Sequence, residues 1–544
     1  MTTEEAPAGT EAAAGLAVTG AGALPGYGSV RSKLVADGVP GLLVAKDPTL
    51  WGPAADSEAK IRLGWVDTTR RSRQLLNQLA ELTAELPDLD HVVLAGMGGS
   101  SLAPEVITRT LDKPLTVLDT TDPGQVRAAL ADRLDRTVVV VSSKSGTTVE
   151  TDSHRRAYWQ AFLDAGLSEA EAGRRFVIVT DPGSPLAETG RQMGATVVLA
   201  DPDVGGRYSA LTAFGLVPAA LAGVDVVELL DQAEALAGTL AGAEDNPALA
   251  LGAALGAAAL HGRDKVVLVD DGTGIVGLGD WAEQLLAEST GKQGRGLLPV
   301  VVEAPDAPGV TGEDVLTVTV GGSLPPGAVP GGGVRPHLAV NGPLGAQFLA
   351  WEFATALAGR IIGINPFDQP NVTESKDNTN AILASGLPPE QPAAVDGAVQ
   401  LYGTPASTVS DALRELVRDT QGYLAVMAYL DRQADAAAAG LRARLARATD
   451  RPVTFGWGPR FLHSTGQYHK GGPQDGSFLQ ITGEVTDDLE VPGKPYTFGQ
   501  LQAAQAAGDR QALASRGRPV LRLHLTDRAA GIAQLLEAAE GLTS

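Results

Sequence analysis

Apolar and polar positions alternate along this chain in two periods. Short β-branched runs recur at "HVVLAG" (91–96), "LTVLD" (115–119), "TVVVVS" (137–142) and "RFVIVTD" (175–181). Runs this apolar predict strands covered on both faces of a sheet. Helical patterns such as "SLAPEVITRTL" and "VETDSHRRAYWQAFL" fill the gaps. Strand–helix–strand spacing of this kind predicts βαβ units and a parallel sheet, hence an α/β fold. The pattern restarts at "NPALALGAALGAAALHGRD" (246–264), where Asn246 as N-cap and Pro247 at the first helical position open a helix ahead of the strand "KVVLVDD".

These restarts divide the chain. Residues 1–45 read as a flexible acidic tail and lead-in, 46–235 as a first domain and 240–396 as a second. The Pro/Gly-rich stretch 303–343 reads as a surface excursion around one short strand of the second domain. Residues 397–544 read as mostly helical, including the acidic "TQGYLAVMAYLDRQAD" stretch. Their last strands, "RPVTFGWG" and "PVLRLHL", are expected to return to the second sheet. At 544 residues the chain is too long for one ordinary core.

Charge and composition narrow the function. A net charge of −22 disfavours nucleic acid or an anionic membrane as partner. The absence of cysteine removes disulfides, thiolate metal sites and thiol nucleophiles together. The opening residues lack a basic n-region and no long apolar span occurs, so a cytoplasmic enzyme is expected.

Several loops carry chemistry. "VVVVSSKSGTTVE" (138–150) runs from a buried strand into Ser143, Lys144, Ser145, Gly146, Thr147 and Thr148, then into a helix. Hydroxyls, a lysine and free helix N–H groups together suit an anion, phosphate above all. "AGMGGSSLAPE" (95–105) ends another strand with Gly99 and Ser100 in a second cradle. "GTGIVG" (272–277) matches a dinucleotide loop, a weak signal without an acidic strand end at the expected distance. Arg207 stands in a glycine-flanked turn, where it can face a developing negative charge. In "DWAEQLLAESTGK" (280–292), Asp280 reads as N-cap and Glu283 as its capping-box partner. Trp281, Leu285 and Glu288 share one face of that helix, and Glu288 suits a general base. Gln369 and Lys376 lie in the polar "NPFDQPNVTESKDN" (365–378). "FLHSTGQYHKGG" (461–472) holds His463 and His469, six apart, a poor spacing for zinc on a helix.

Taken together, "GMGGSSLAPE", "SSKSGTTVE", "VGGRYS", "ESTGK", "NPFDQPNVTESK" and "LHSTGQYHKGG" resemble the motifs of the glucose-6-phosphate isomerase family. The resemblance runs from about residue 90 to 472. It implies two sugar-isomerase (SIS) domains, each a mainly parallel sheet flanked by helices, with a mixed C-terminal region. It further implies a cytoplasmic homodimer that binds a sugar phosphate and needs no metal or other cofactor. Under it, Ser143, Lys144, Ser145 and Thr148 bind the phosphate, and Gly99 and Ser100 line the same pocket. Gln369 is implied to contact the phosphate as well. Glu288 is the base that moves a proton between C2 and C1 through a cis-enediolate, and Arg207 stabilises that intermediate. Lys376 helps to open the sugar ring. The histidine segment follows the glutamine–lysine segment, an order that resembles the isomerase part of bacterial transaldolase–isomerase fusions. His463 is favoured as the ring-opening histidine, with His469 as the alternative. The competing expectations are an isomerase that also converts mannose 6-phosphate and a non-catalytic phosphosugar-binding regulator.

Overall fold

The computed structural model describes residues 10–325 and 337–543. The acidic residues 1–9 and the centre of the Pro/Gly-rich stretch lie outside the described residues. The first sheet is parallel throughout, in the order Thr116–Leu118, His91–Gly96, Thr137–Ser142, Phe176–Thr180 and Thr196–Leu199. Every residue of the three central strands is buried, as their unbroken apolar runs require. Helices Leu102–Thr110 and Val149–Asp164 start directly beyond two of these strands and so fix both candidate cradles at the C-terminal edge of the sheet.

The second sheet has the order Glu11–Ala13, Leu16–Thr19, Leu338–Asn341, Val315–Gly321, Lys265–Asp270 and Leu298–Val301. Its last four strands are parallel. Two expectations change here. The lead-in supplies an antiparallel hairpin that pairs with Leu338–Asn341, with Leu16 and Val18 fully buried. The 303–343 stretch is not a surface excursion around one strand. Val315–Gly321 lies inside the sheet with all seven residues buried, and Leu338–Asn341 beside it is buried as well. Glycine and proline flank these strands, and the density of turn residues obscured them.

The C-terminal region departs most from expectation. Its strands do not return to the second sheet; they build a third one. The order is Ala394–Asp396, Val399–Tyr402, Val520–Leu525, Gly476–Gly483, Tyr423–Tyr429 and Val453–Trp457, the last four parallel. The stretch read as helical contains Tyr423–Tyr429, a strand buried at all seven positions. An apolar run of that length has no period that separates a buried strand from a buried helix. Once it is a strand, Gly476–Gly483 and Val520–Leu525 have a parallel partner of their own. The second and third sheets then share one plan, a hairpin at the edge of four parallel strands in the order 4-3-1-2. They also share a core, in which Val267 and Val300 of one sheet meet Ala425, Met427 and Phe478 of the other. No described helix is long and apolar enough to cross a membrane.

Candidate active site

A cleft of about 960 Å³ opens where the three domains meet. It is lined by Gly99, Ser100, Lys144, Ser145, Thr148, Arg207, Glu288, Gln369, Lys376 and His463, ten of the eleven residues singled out above. The eleventh, Ser143, stands behind the phosphate-loop candidate. Its hydroxyl lies 2.9 Å from that of Thr148 and accepts from the Gly146 amide at 3.2 Å. Ser145 and Thr147 pair likewise at 2.9 Å. Gly146 closes the turn at φ +70, and a Cβ there would meet Leu186 at 2.9 Å. Lys144 reaches the carboxylate of Asp181 at 2.5 Å. The loop thus presents hydroxyls and one cation from a turn braced by its own side chains.

Glu288 is buried on the helix Leu278–Thr290, on the same face as the buried Trp281 and Leu285. One turn earlier, Gln284 donates to its Oε2 at 3.0 Å. The start of this helix differs from expectation. Gly277 at φ +75 precedes it and Asp280 sits in its first turn, without capping. Glu283 is therefore not in a capping box; it accepts from the Ser464 hydroxyl at 2.9 Å. Desolvation, reinforced by the charge of Asp280, pushes the Glu283 carboxyl up to about 8. That link ties the helix of Glu288 to the loop of His463.

Arg207 approaches Glu288 Oε1 at 3.8 Å. Its guanidinium donates to Ser289 Oγ at 2.8 Å, Gln369 Oε1 at 3.1 Å, and the carbonyls of Pro366 and Asp368 at 2.8 and 2.9 Å. A planar fork with five donors suits this many fixed acceptors, and the charge is held rigidly beside the carboxylate. Lys292, the last residue of "ESTGK", secures the same 365–369 loop through Asn365 O, Asp368 O and Asp368 Oδ1. Burial and the nearby charge of Arg207 pull its ammonium down to about 8, against the pull of Asp368.

His463 ends the short helical turn Arg460–His463, and its Nε2 lies 2.9 Å from Glu150 Oε1. Gln505 donates to the same oxygen at 2.7 Å and accepts from Thr121. Burial by itself would raise the Glu150 carboxyl. The charge and hydrogen bond of His463, with the charge of Lys376, instead hold it down at about 2. Lys376 makes no hydrogen bond or ion pair of its own among the described residues and lines the cleft. His469 sits elsewhere, stacked on Tyr423 and packed against Phe461 and Phe478, with neither ring nitrogen hydrogen-bonded among the described residues. Burial lowers its pKa far below the usual histidine value. Geometry therefore separates the two histidines that sequence left as alternatives: His463 lines the cleft and His469 does not.

Sequence reasoning missed Glu150, Gln284, Lys292 and Gln505. Glu150 closes the quoted loop motif, yet an acid in the first turn of a helix already has a reason to be there. Gln284 precedes Glu288 by one turn, a spacing that was available to find it. Gln505 is brought in from a helix more than 350 positions away, and no local pattern marks it.

Set beside known proteins, this chain has relatives. The phosphoglucose isomerase family model matches residues 82–293, which contain both cradles, Arg207 and Glu288. A "probable glucose-6-phosphate isomerase" of Haloarcula marismortui is 35% identical over 224 residues, 40% of this chain but only about half (51%) of that relative. The glucose-6-phosphate isomerase of Rubrobacter xylanophilus is 33% identical over 365 residues, 54% of this chain and 82% of the relative. Among solved structures, a hypothetical protein from Thermus thermophilus superposes with a TM-score of 0.57 at 25% identity, covering 66% of this chain and 98% of that one. A glucose-6-phosphate isomerase from Chlamydia trachomatis gives 0.51 at 18% identity over 70% and 90%, a likeness of fold. Identity of 33% over 82% of a relative's length, with a family model matching residues 82–293, makes the chain a member of the phosphoglucose isomerase family.

Proposed function

We propose that this protein interconverts glucose 6-phosphate and fructose 6-phosphate through a cis-enediolate. The observation that carries this reading is the pairing of Glu288 with the buried Arg207 at 3.8 Å, in a cleft whose other wall is the hydroxyl-rich loop. The loop of Lys144, Ser145 and Thr148 takes the phosphate, with Gln369 beside it. Anchoring that remote group sets C1 and C2 against Glu288 and lowers the entropic part of the barrier.

The chemistry then follows from proton positions. Ring opening breaks C1–O5, removes a proton from the C1 hydroxyl and delivers one to O5. His463, oriented and charge-compensated by Glu150, and Lys376 serve this exchange. Glu288 takes the C2 proton of the open-chain aldose. The electron pair forms the enediolate, whose charge faces Arg207. Return of the proton to C1, with proton movement between O1 and O2, gives the ketose. C1 is reduced as C2 is oxidised, so the step balances within the sugar. All of these residues belong to one chain, so dimerisation, which the family resemblance implies, adds none of them.

Turnover of fructose 6-phosphate in deuterated water with EDTA tests the reading, on wild type and Glu288→Gln. Deuterium at C2 of the glucose 6-phosphate made by wild type, and a loss of about 10²–10⁴ in rate for the variant, is the expected result. A variant that turns over normally moves the base elsewhere. A wild type that binds the sugar without converting it makes the protein a binding module. Mannose 6-phosphate, assayed in parallel, separates a single from a dual specificity.

A further inference from the structure

A second pocket, of about 580 Å³, lies behind the phosphate loop. Thr147, Val149 and Asn380 belong to its wall and to the wall of the catalytic cleft, so the two cavities are separated by one layer of residues. The remaining wall comes from the helices Val149–Asp164, Pro185–Gln192 and Thr373–Ser385, and from residues 494–496 of the C-terminal domain.

Its charge is unbalanced. Asp152 is the only carboxylate in the wall, against Arg155, Arg156 and Lys494. Arg155 is spent: Nε and Nη2 hold Asp152 Oδ1 at 3.2 and 2.7 Å, and Nη1 meets Met193 Sδ at 3.3 Å. Arg156 uses Nε on Asp152 Oδ2 at 2.8 Å and Nη1 on Pro492 O at 3.3 Å, which leaves Nη2 without a partner among the described residues. Lys494 Nζ stands 3.5 Å from the same carboxylate oxygen and bonds nothing else among them. The Asn380 amide has no side-chain hydrogen bond among the described residues. Two surplus positive charges with unspent donors, in a concavity on a chain of net charge −22, form a local trap for a small anion. Pro185, Leu383 and the Tyr496 ring supply an apolar side, as a compact organic ligand requires.

We propose that this pocket is a second anion site. It takes the phosphoryl group of a small phosphorylated metabolite on Arg156 and Lys494. Through the shared Thr147–Val149 wall, its occupancy changes turnover in the neighbouring cleft. The binding part stands without the isomerase reading; the effect on turnover rests on it.

The experiment uses inorganic pyrophosphate with EDTA as probe, on wild type, Arg156→Gln/Lys494→Gln and Lys494→Gln. Calorimetric titration reads binding without any catalysis, so a failed isomerase assay leaves it interpretable. Two sites are expected in wild type and one in the double variant. Lys494→Gln, which replaces a partly exposed side chain, weakens the second site about tenfold and keeps the test open if the double variant does not fold. Pyrophosphate is expected to change kcat at saturating fructose 6-phosphate in wild type and not in the double variant. A single wild-type site abolished by fructose 6-phosphate, or two sites unchanged in the variants, overturns the proposal. Second-site binding with kcat unmoved overturns its coupling to the cleft.

Discussion

Replacing Glu150 with glutamine keeps the shape of the side chain and removes its charge from the His463 pair. Glu150 is buried and His463 half-buried, with Nε2 and Oε1 at 2.9 Å, and the carboxyl is held at about 2 against its ordinary 4.5. At about 1.4 kcal/mol per pKa unit, that difference corresponds to roughly 3 kcal/mol favouring the carboxylate, net of its desolvation. Glutamine forfeits this term, and with it the negative charge that compensates a protonated imidazole. Isomerisation of glucose 6-phosphate is expected to fall about 10- to 100-fold in kcat with little change in KM, because the phosphate loop is untouched. Catalysed anomerisation should fall in parallel, since ring opening is the step proposed for His463. Glu288→Gln, by contrast, should keep anomerisation and lose isomerisation. Stability gives a second readout. A depressed carboxyl stabilises the fold above about pH 4.5, and this contribution is lost as pH falls through about 2. The stability difference between wild type and the glutamine variant should therefore shrink by about 3 kcal/mol as pH falls across that window, the other depressed carboxylates being common to both. Wild-type rates of isomerisation and anomerisation in Glu150→Gln would refute the role assigned to the pair.

Three other outcomes follow from the same geometry. Gly99→Ala would put a Cβ 1.9 Å from the carbonyl of Gly206 and force apart the loops that carry Ser100 and Arg207. It should cost about 1–3 kcal/mol in denaturant unfolding and lower kcat/KM, and an unchanged enzyme would show that the two loops need not touch. Arg460 meets Glu105 and Asp119 at 2.6 Å each and joins the C-terminal domain to the first. Arg460→Met leaves the buried Glu105 and Asp119 to Arg432 alone, at 3.0 and 3.9 Å, and should cost about 3 kcal/mol by chemical denaturation; a loss under about 1 kcal/mol would mean that Arg432 or water replaces the arginine. Specific activity should stay constant on dilution through any dimer dissociation followed by sedimentation, because one chain supplies every site residue named above. Activity that vanishes with the dimer would mean that a second subunit contributes to the cleft.

Local pattern was enough to place four of the five strands of the first sheet and the loops that carry ten of the cleft's lining residues. Runs such as "TVVVVS" have one stable environment, a strand covered on both faces, and the residues after each strand must lie at the sheet's C-terminal edge. Hydroxyls, glycines and a lysine confined to such a loop mark it as a candidate anion cradle, and the structure puts Lys144, Ser145 and Thr148 in the wall of the cleft. The burial of Glu288 was legible because it continues the face of Trp281 and Leu285, and a carboxylate there is costly without a partner. Packing between distant segments resolved the rest. "YLAVMAY" is equally apolar as strand or helix, and only pairing with Gly476–Gly483 and Val453–Trp457 makes it the centre of a third sheet. That sheet carries His463 to Glu150, 313 positions away, and the helix packed near it brings Gln505 to the same carboxylate. His463 and His469 look alike in sequence, six residues apart in one glycine-rich stretch. One faces the cleft and an acid, the other an aromatic box, because burial and partners belong to the packed chain and not to the local sequence.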